Sequence, residues 1–186
     1  QMVYKGGLQV YTTLSLPDQQ AATAALQEGL RQLDKRQGYR GPLRRGAAPD
    51  EFSRGKAGGS MASAPVREGE LLEGVVTKAA KDGLTVVARG LTGKVATEDL
   101  LWARRRLRGP DTVKHAREIA AKSPGELFKA GDVIEVGVKK VAGEVVQFTL
   151  EQTPIVEGAI MAVDPRTGAV RAMIGGNAVT AYDLDV

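Results

Sequence analysis

The sequence predicts a mainly β protein with some α-helix, in which a five-stranded barrel is inserted in a small α/β lobe. Residues 68–152 alternate short apolar strands with glycine-rich turns, which is typical of a small barrel. A long amphipathic helix precedes this region and an apolar β-hairpin follows it. The two ends of the chain are therefore expected to pack together, with the barrel between them in the sequence.

The first segment of the lobe, residues 1–42, combines a strand with a helix. Residues 6–13 alternate in polarity after a Gly-Gly pair, which predicts a strand. Ser15 is a suitable N-cap and Pro17 stands in the first turn, so a helix is predicted over residues 16–37. Its apolar face comprises Ala21, Ala22, Ala25, Leu26, Leu30 and Leu33.

Residues 41–65 are rich in glycine, alanine and proline, and their only sizeable apolar side chains are Leu43, Phe52 and Met61. This composition predicts a flexible linker, which is placed at residues 43–67.

The barrel region contains five candidate strands, at residues 71–78, 84–88, 91–96, 134–139 and 146–151. Thr97 is a suitable cap for a helix between the third and fourth strands, and a second helical piece is predicted over residues 111–122. Three strands, a helix and two strands are the order of an OB-fold, a five-stranded Greek-key barrel.

Residues 153–176 form the predicted hairpin, with two apolar strands around an Asp164-Pro165 turn. Neither face of the hairpin is polar, so both are expected to be covered. The helix at 16–37 is the predicted cover, through Leu26, Leu30 and Leu33.

Composition excludes several classes of chemistry. The chain has no cysteine and a single histidine, His115, so no thiolate or ordinary metal site is expected, nor any cofactor. His115 is predicted to lie on a helix surface. The net charge of +4 is a mild imbalance between 26 basic and 22 acidic residues. No apolar run approaches the roughly 20 residues that cross a bilayer, so a soluble chain without membrane contact is expected.

Two short motifs resemble catalytic ones. Ser53 and Lys56 satisfy Ser-x-x-Lys, but Gly55 between them disfavours the helical turn that would bring the lysine amine to the serine oxygen. Arg166-Thr167-Gly168 resembles a Lys-Thr-Gly strand, yet it follows Asp164-Pro165 and is better explained as a turn. No catalytic residue is predicted.

Three separated segments resemble the class A penicillin-binding proteins. They are Gly-Gly-Leu-Gln-Val-Tyr-Thr-Thr-Leu from Gly6, Asp-Lys-Arg-Gln-Gly-Tyr-Arg-Gly-Pro from Asp34, and the stretch from Gln152 to Gly176 with its Asp-Pro-x-Thr-Gly turn. Ser15 departs from the family's usual Asp, although both residues cap helices. The last residues, 177–186, match no family pattern and are interpreted as a divergent or artificial tail.

The resemblance implies a parent that is a bifunctional peptidoglycan glycosyltransferase and D,D-transpeptidase, anchored on the periplasmic side of the bacterial inner membrane. The central barrel corresponds to the family's OB-type insert. Neither catalytic centre of the family has a counterpart in this sequence, so the chain itself is not expected to be an enzyme. It is expected to act as a scaffold beside the parent's neighbouring domains.

The barrel is also expected to dock a regulatory or cell-wall protein. The predicted docking surface is the densest basic cluster with its aromatic neighbour: Trp102, Arg104, Arg105, Arg106 and Arg108. The alternative is a single-stranded RNA-binding OB module, which the barrel's glycine and valine pattern also resembles. Nucleic acid is not the favoured partner, because the second and third strands carry no aromatic side chain on which bases could stack.

Overall fold

The structure is a computed structural model that describes residues 11–52, 66–106, 117–118, 123–142 and 145–176. Its helices are α1 (Leu16–Gln37) and α2 (Pro124–Leu127), with 3-10 helices at Pro49–Phe52 and Thr97–Arg104. Its strands are β1 (Leu71–Ala80), β2 (Gly83–Ala88), β3 (Leu91–Ala96), β4 (Arg105–Arg106), β5 (Arg117–Glu118), β6 (Val133–Ala142), β7 (Val145–Glu151), β8 (Gly158–Val163) and β9 (Val170–Gly176).

Strands β1, β2, β3, β7 and β6 form a closed barrel in that order, and β6 pairs with β1 to close it. Four of its strand pairs are antiparallel, whereas β3 and β7 run parallel, with Val95 opposite Phe148. This arrangement confirms the predicted fold class, a mainly β chain with an OB-type barrel.

The alternation of side chains along each strand produces the barrel core. In β2, Leu84, Val86 and Ala88 are buried, while Thr85 and Val87 point outward and are half-buried. The same period of two in the other strands places large apolar side chains inside. These include Leu72, Val76, Val95, Ile134, Val136, Val138, Val146, Phe148 and Leu150.

The described residues divide into two compact units, one made of residues 11–32 with 154–176 and the other of those within 33–153. The first unit combines segments from both sides of the barrel in the sequence, which fits the predicted fold class of a barrel inserted in a lobe. Within this lobe Leu26 and Leu30 of α1 pack with Ile160 of β8 and Ile174 of β9. Leu33 is not part of this cluster: it is 36% exposed and belongs to the barrel unit, so its predicted role was wrong.

The hairpin buries one face only, which corrects the expectation that both faces are covered. Met161 and Met173 lie opposite each other on β8 and β9, and they are 63% and 65% exposed. The outer edge of β9 is bonded to the start of α1: Gln19 exchanges two side-chain hydrogen bonds with the backbone of Met173, at 2.9 and 3.1 Å.

The turn of the hairpin is the predicted one. The carboxylate of Asp164 accepts hydrogen bonds from the backbone N–H groups of Arg166 and Thr167, and Gly168 has a φ of 71° that favours glycine. Arg166-Thr167-Gly168 is therefore part of a turn and not of a Lys-Thr-Gly-type strand.

The predicted linker differs from the structure over residues 43–52, here called the strap. The backbone of Arg44 forms an antiparallel bridge with Val133, and Ala47 donates to the carbonyl of Gly131 at 3.0 Å. Phe52 is buried against the barrel. The composition of the segment did not predict this packing, because a single buried aromatic side chain and a few backbone hydrogen bonds hold the strap.

A second correction concerns the helix predicted over residues 111–122. Arg117 and Glu118 form β5, which pairs with Arg106 and Arg105 of β4. Several residues considered in the sequence analysis lie outside the described residues, namely residues 1–10 with most of the predicted first strand, Ser53 to Lys56, Arg108, His115, and residues 177–186. Among the described helices, none combines the length and the apolar character that crossing a membrane requires.

Gly93 provides a test of the parallel pair formed by β3 and β7. A Cβ at this position would lie 2.5 Å from the ring of Phe148 and even closer to the carbonyl oxygen of Val146. We expect Gly93→Ala to lower the free energy of unfolding by about 2 kcal/mol, because neither the backbone nor the packed ring can yield freely. Urea denaturation followed by the fluorescence of the single tryptophan would measure this change.

The matched control is Gly29→Ala, in the interior of α1, where the added methyl group meets nothing within 4 Å beyond its own helix. This change should stabilise the helix by about 0.5–1 kcal/mol. Equal effects of the two substitutions would contradict the steric account of Gly93.

Candidate functional site

The segments that enter and leave the barrel unit meet in a buried polar cluster, here called the clasp, made of Asp34, Arg40 and Gln152. Asp34 lies near the end of α1, Arg40 follows that helix, and Gln152 comes directly after β7. All three belong to the barrel unit. Two of the sequence segments singled out above, which begin at Asp34 and at Gln152, therefore come together in the structure.

The side-chain carboxylate of Asp34 is fully buried and bonded on both oxygens. Arg40 Nη1 donates to Oδ1 at 2.7 Å, and Gln152 Nε2 donates to Oδ2 at 2.6 Å. Gln152 Nε2 also contacts the carbonyl of Gly38 at 3.2 Å, and its Oε1 accepts from the backbone N–H of Arg40 at 2.8 Å. The amide of Gln152 is thus oriented by partners on both sides.

Arg40 extends the clasp to the exit segment, since its Nη2 donates to the backbone carbonyl of Thr153. A guanidinium is suited to this position because its planar donors can serve a carboxylate and a carbonyl at once. A buried carboxylate that has lost its partners is strongly destabilising. The clasp therefore makes the closure of the barrel unit depend on side chains from both of its ends.

Aromatic packing lies next to the clasp. Tyr39 is 4% exposed, and its ring contacts Trp102 edge-on at 5.5 Å and Phe128 at 5.4 Å between centroids. Lys35 lies 5.6 Å from the Trp102 ring and forms a 2.8 Å ion pair with Glu151. These contacts pack the last turn of α1 against the barrel core.

This packing changes the interpretation of the predicted docking surface. Trp102 is half-buried and contacts Tyr39 and Lys35, so much of its ring serves internal packing. Arg104 is half-buried beside the exposed Leu101. Arg105 and Arg106 form β4, and Arg108 is outside the described residues. The docking role of these residues stays a prediction.

The outer face of the barrel is the second place where an OB-fold could bind a ligand, at its second and third strands. Here the outward side chains of β2 and β3 are Thr85, Val87, Thr92 and Lys94, none of which is aromatic. The strap lies next to this face: Phe52 packs on Val75 and Val133 beside Val87, and its carbonyl accepts from the N–H of Gly90.

Two carboxylates fix the strap and the neighbouring turn. The backbone N–H of Ala48 and the guanidinium of Arg44 lower the pKa of Glu51. Burial raises the pKa of Glu70, but hydrogen bonds from the Arg67 backbone and the Arg89 side chain outweigh burial and lower it overall.

A metal-binding cluster is absent from the described part of the chain. Within the ranges that the structure describes, no three acidic, histidine or cysteine side chains lie close enough together to hold a metal ion. The polar groups of the clasp are engaged with one another. The clasp therefore acts as a structural ion pair that holds the entry and exit segments of the barrel unit together.

A family model, the penicillin-binding protein OB-like domain, matches residues 39–156. This match spans the barrel and includes Arg40 and Gln152 of the clasp. The chain belongs to this family. The resemblance to class A penicillin-binding proteins, inferred from three sequence segments, is confirmed.

Several relatives of this penicillin-binding protein domain share one name. Penicillin-binding protein 1A of Pseudomonas aeruginosa is 29% identical over 174 residues, which cover 93% of this chain and 20% of that protein. Penicillin-binding protein 1A of Rickettsia conorii is 32% identical over 180 residues, 95% of this chain and 20% of that protein. The chain thus spans about a fifth of the length of these relatives.

A solved structure shows the same fold. The crystal structure of penicillin-binding protein 1A from Haemophilus influenzae superposes with a TM-score of 0.54 at 22% identity, over 95% of this chain and 24% of that one. The likeness extends over the lobe as well as the OB-like barrel.

The clasp can be tested by removing its carboxylate. We expect Asp34→Ala to lower the free energy of unfolding by about 3 kcal/mol, because Arg40 and Gln152 then lose a buried partner. Asp82→Ala is the control: Asp82 is 77% exposed and lies 4.0 Å from Lys94, so its loss should cost at most about 0.5 kcal/mol. Urea denaturation monitored at Trp102 measures both.

A double-mutant cycle separates the clasp from simple loss of packing. Asp34→Ala and Gln152→Ala should be non-additive by about 1 kcal/mol or more, since both remove the same hydrogen bond. Additive effects would contradict a shared network.

Proposed function

We propose that the chain serves as a non-catalytic scaffold and protein-docking segment of a bifunctional peptidoglycan synthase. Membership in the penicillin-binding protein OB-like domain family supports the link to cell-wall synthesis. The observation that carries the scaffold role is the clasp, a buried ion pair with an oriented amide that ties the entry of the barrel unit to its exit. Such a closed insert can present surfaces without reorganising.

The parent activity belongs to this proposal as well. We infer that the complete synthase has glycosyltransferase and D,D-transpeptidase activities and acts on the periplasmic side of the bacterial inner membrane. The chain spans about a fifth of two relatives that are named penicillin-binding protein 1A, and we assign the activities to other parts of the parent. The neighbouring domains of that parent are its first partners.

The proposed partner is a regulatory or cell-wall protein that binds the barrel near Arg104 and Arg106. Arg104 ends a 3-10 helix whose Leu101 is 52% exposed, so a cation and an apolar side chain are presented together. This combination suits the rim of a protein interface, where arginine is enriched.

The docking proposal predicts a charge-dependent partner. Immobilised chain should retain a protein from a periplasmic extract of Pseudomonas aeruginosa, and the double variant Arg104→Glu with Arg106→Glu should lose at least about 80% of it, because like charges oppose the encounter. Lys81→Glu with Lys140→Glu is the control, with the same charge change at exposed lysines elsewhere on the barrel. Equal loss in both double variants, or no retained protein, contradicts this docking surface.

The non-catalytic role predicts no reaction with penicillin. Incubation with a fluorescent penicillin should leave the mass of the chain unchanged, because an acyl adduct requires a serine beside a positioned general base. A purified class A penicillin-binding protein is the positive control. A stoichiometric adduct on the chain would overturn the proposal, and Ser53→Ala would then show whether that serine carries it.

The alternative function is the binding of single-stranded RNA. It predicts measurable affinity for oligonucleotides, whereas the outer face of β2 and β3 lacks the aromatic side chains that such binding uses. Without stacking aromatics, and with the strap beside β2, we expect fluorescence anisotropy to show no binding to labelled oligonucleotides tighter than about 10⁻⁶ M at physiological salt. Salt-dependent affinity in the nanomolar range that falls in Lys94→Ala would favour the RNA module over the scaffold.

A further inference from the structure

A cavity of about 220 Å³ opens beside the clasp, entirely within the barrel unit. One wall is the segment that follows α1, from Tyr39 to Leu43. The other wall is formed by Glu135 of β6 and by Glu151 to Thr153 at the end of β7. The cavity is smaller than the roughly 300–1,000 Å³ typical of small-molecule sites, so its size suits one long side chain.

The two walls differ in chemistry. Pro42 and Leu43 give the first wall an apolar surface, and Leu43 is 57% exposed although it lies within a strap whose backbone is hydrogen-bonded to the barrel. The second wall carries carboxylates. An occupant that matches both walls has an aliphatic stem and a charged end.

The charges around the cavity are unevenly neutralised. Arg40 is paired with Asp34, and Lys35 with Glu151. Glu135 uses Oε2 to accept hydrogen bonds from the N–H and hydroxyl of Thr153, at 2.9 and 2.6 Å. No ion pair among the described residues includes Glu135.

A second glutamate lies next to Glu135. In the register of β1 and β6, Glu73 stands directly opposite Glu135, and within the described part of the chain it too has no ion pair. Like charges directly opposite on neighbouring strands repel each other. One carboxylate without an ion pair, that of Glu135, lines the cavity, and that of Glu73 stands beside it on the neighbouring strand. In a protein with a net charge of +4, this local excess of negative charge favours a cation.

We propose that this cavity binds a lysine or arginine side chain presented by a partner polypeptide. The stem of that side chain lies along Pro42 and Leu43, and its cation pairs with Glu135 and relieves the repulsion from Glu73. The occupant is cationic because the unpaired groups are carboxylates. The site is distinct from the surface at Arg104 and Arg106, and its partner carries the opposite charge.

The probe is the capped peptide acetyl-Gly-Lys-Gly-amide, titrated into the ¹⁵N-labelled chain, with the norleucine peptide as the uncharged analogue of equal length. We expect saturable shifts at the backbone amides of Leu43, Glu135 and Thr153. The lysine peptide should bind about tenfold more tightly than the norleucine peptide, because a desolvated cation pairs with a carboxylate.

The substitution Glu135→Gln keeps an acceptor for Thr153 but removes the charge. It should lower the affinity for the lysine peptide about fivefold. The substitution Leu43→Ala should lower the affinity for both peptides, since it removes part of the apolar wall. Glu68→Gln, at an exposed glutamate in a turn, is the matched control and should change nothing. Unchanged positions of the remaining amide peaks in Glu135→Gln show that the fold is intact.

Three results would overturn the proposal: shifts that do not saturate, shifts spread over the acidic residues of the whole surface, or equal binding of the two peptides. The same holds for an intact Glu135→Gln variant that binds the lysine peptide as the wild type does. The penicillin and pull-down experiments test the scaffold and docking proposal independently of this titration. A negative titration would therefore leave that proposal unchanged.

Discussion

The buried carboxylate of Asp34 is the constraint on which the rest of the barrel unit depends. A charge with no access to solvent is tolerated only when its oxygens are fully engaged, and here the partners are Arg40 and Gln152. One partner precedes the first barrel strand and the other follows the last. The electrostatic requirement of a single side chain therefore specifies that the entry and exit of the unit lie side by side.

The neighbouring contacts reinforce the same geometry by different means. Tyr39 adds an aromatic cluster, and Lys35 lies between the Trp102 ring and the Glu151 carboxylate. The strap adds backbone hydrogen bonds to β6 at Val133. Hydrophobic, electrostatic and backbone interactions thus converge on the end of the barrel where the chain enters, which is the end that holds the candidate site.

Much of the fold is accessible from the sequence because local periodicity determines it. The alternation in β2, β3, β6 and β7 predicts the barrel strands, and the 3.6-residue period of α1 predicts that helix over the observed residues 16–37. Features that depend on a few long-range contacts were missed. Phe52 holds the strap without any periodic pattern, and Arg117 and Glu118 pair with β4 although their neighbours suggest a helix.

The candidate site was predictable only in part. Sequence motifs single out Asp34 and Gln152 without indicating that the two side chains bond to each other, because that bond joins positions 118 residues apart. Trp102 was assigned to an external surface since an aromatic residue beside four arginines resembles an interface. The juxtaposition of Glu73 and Glu135 depends on the register of β1 with β6, which the sequence alone does not determine.

That separation of 118 residues has a consequence for how the barrel forms. Closing so long a loop is entropically unfavourable, and a hydrogen bond between two side chains is too weak to drive it. We therefore expect local pairs such as β1 with β2 and β2 with β3 to form first, and the parallel pairing of β3 with β7 to bring the two ends together. On this expectation the clasp forms late in folding and slows the opening of the finished barrel.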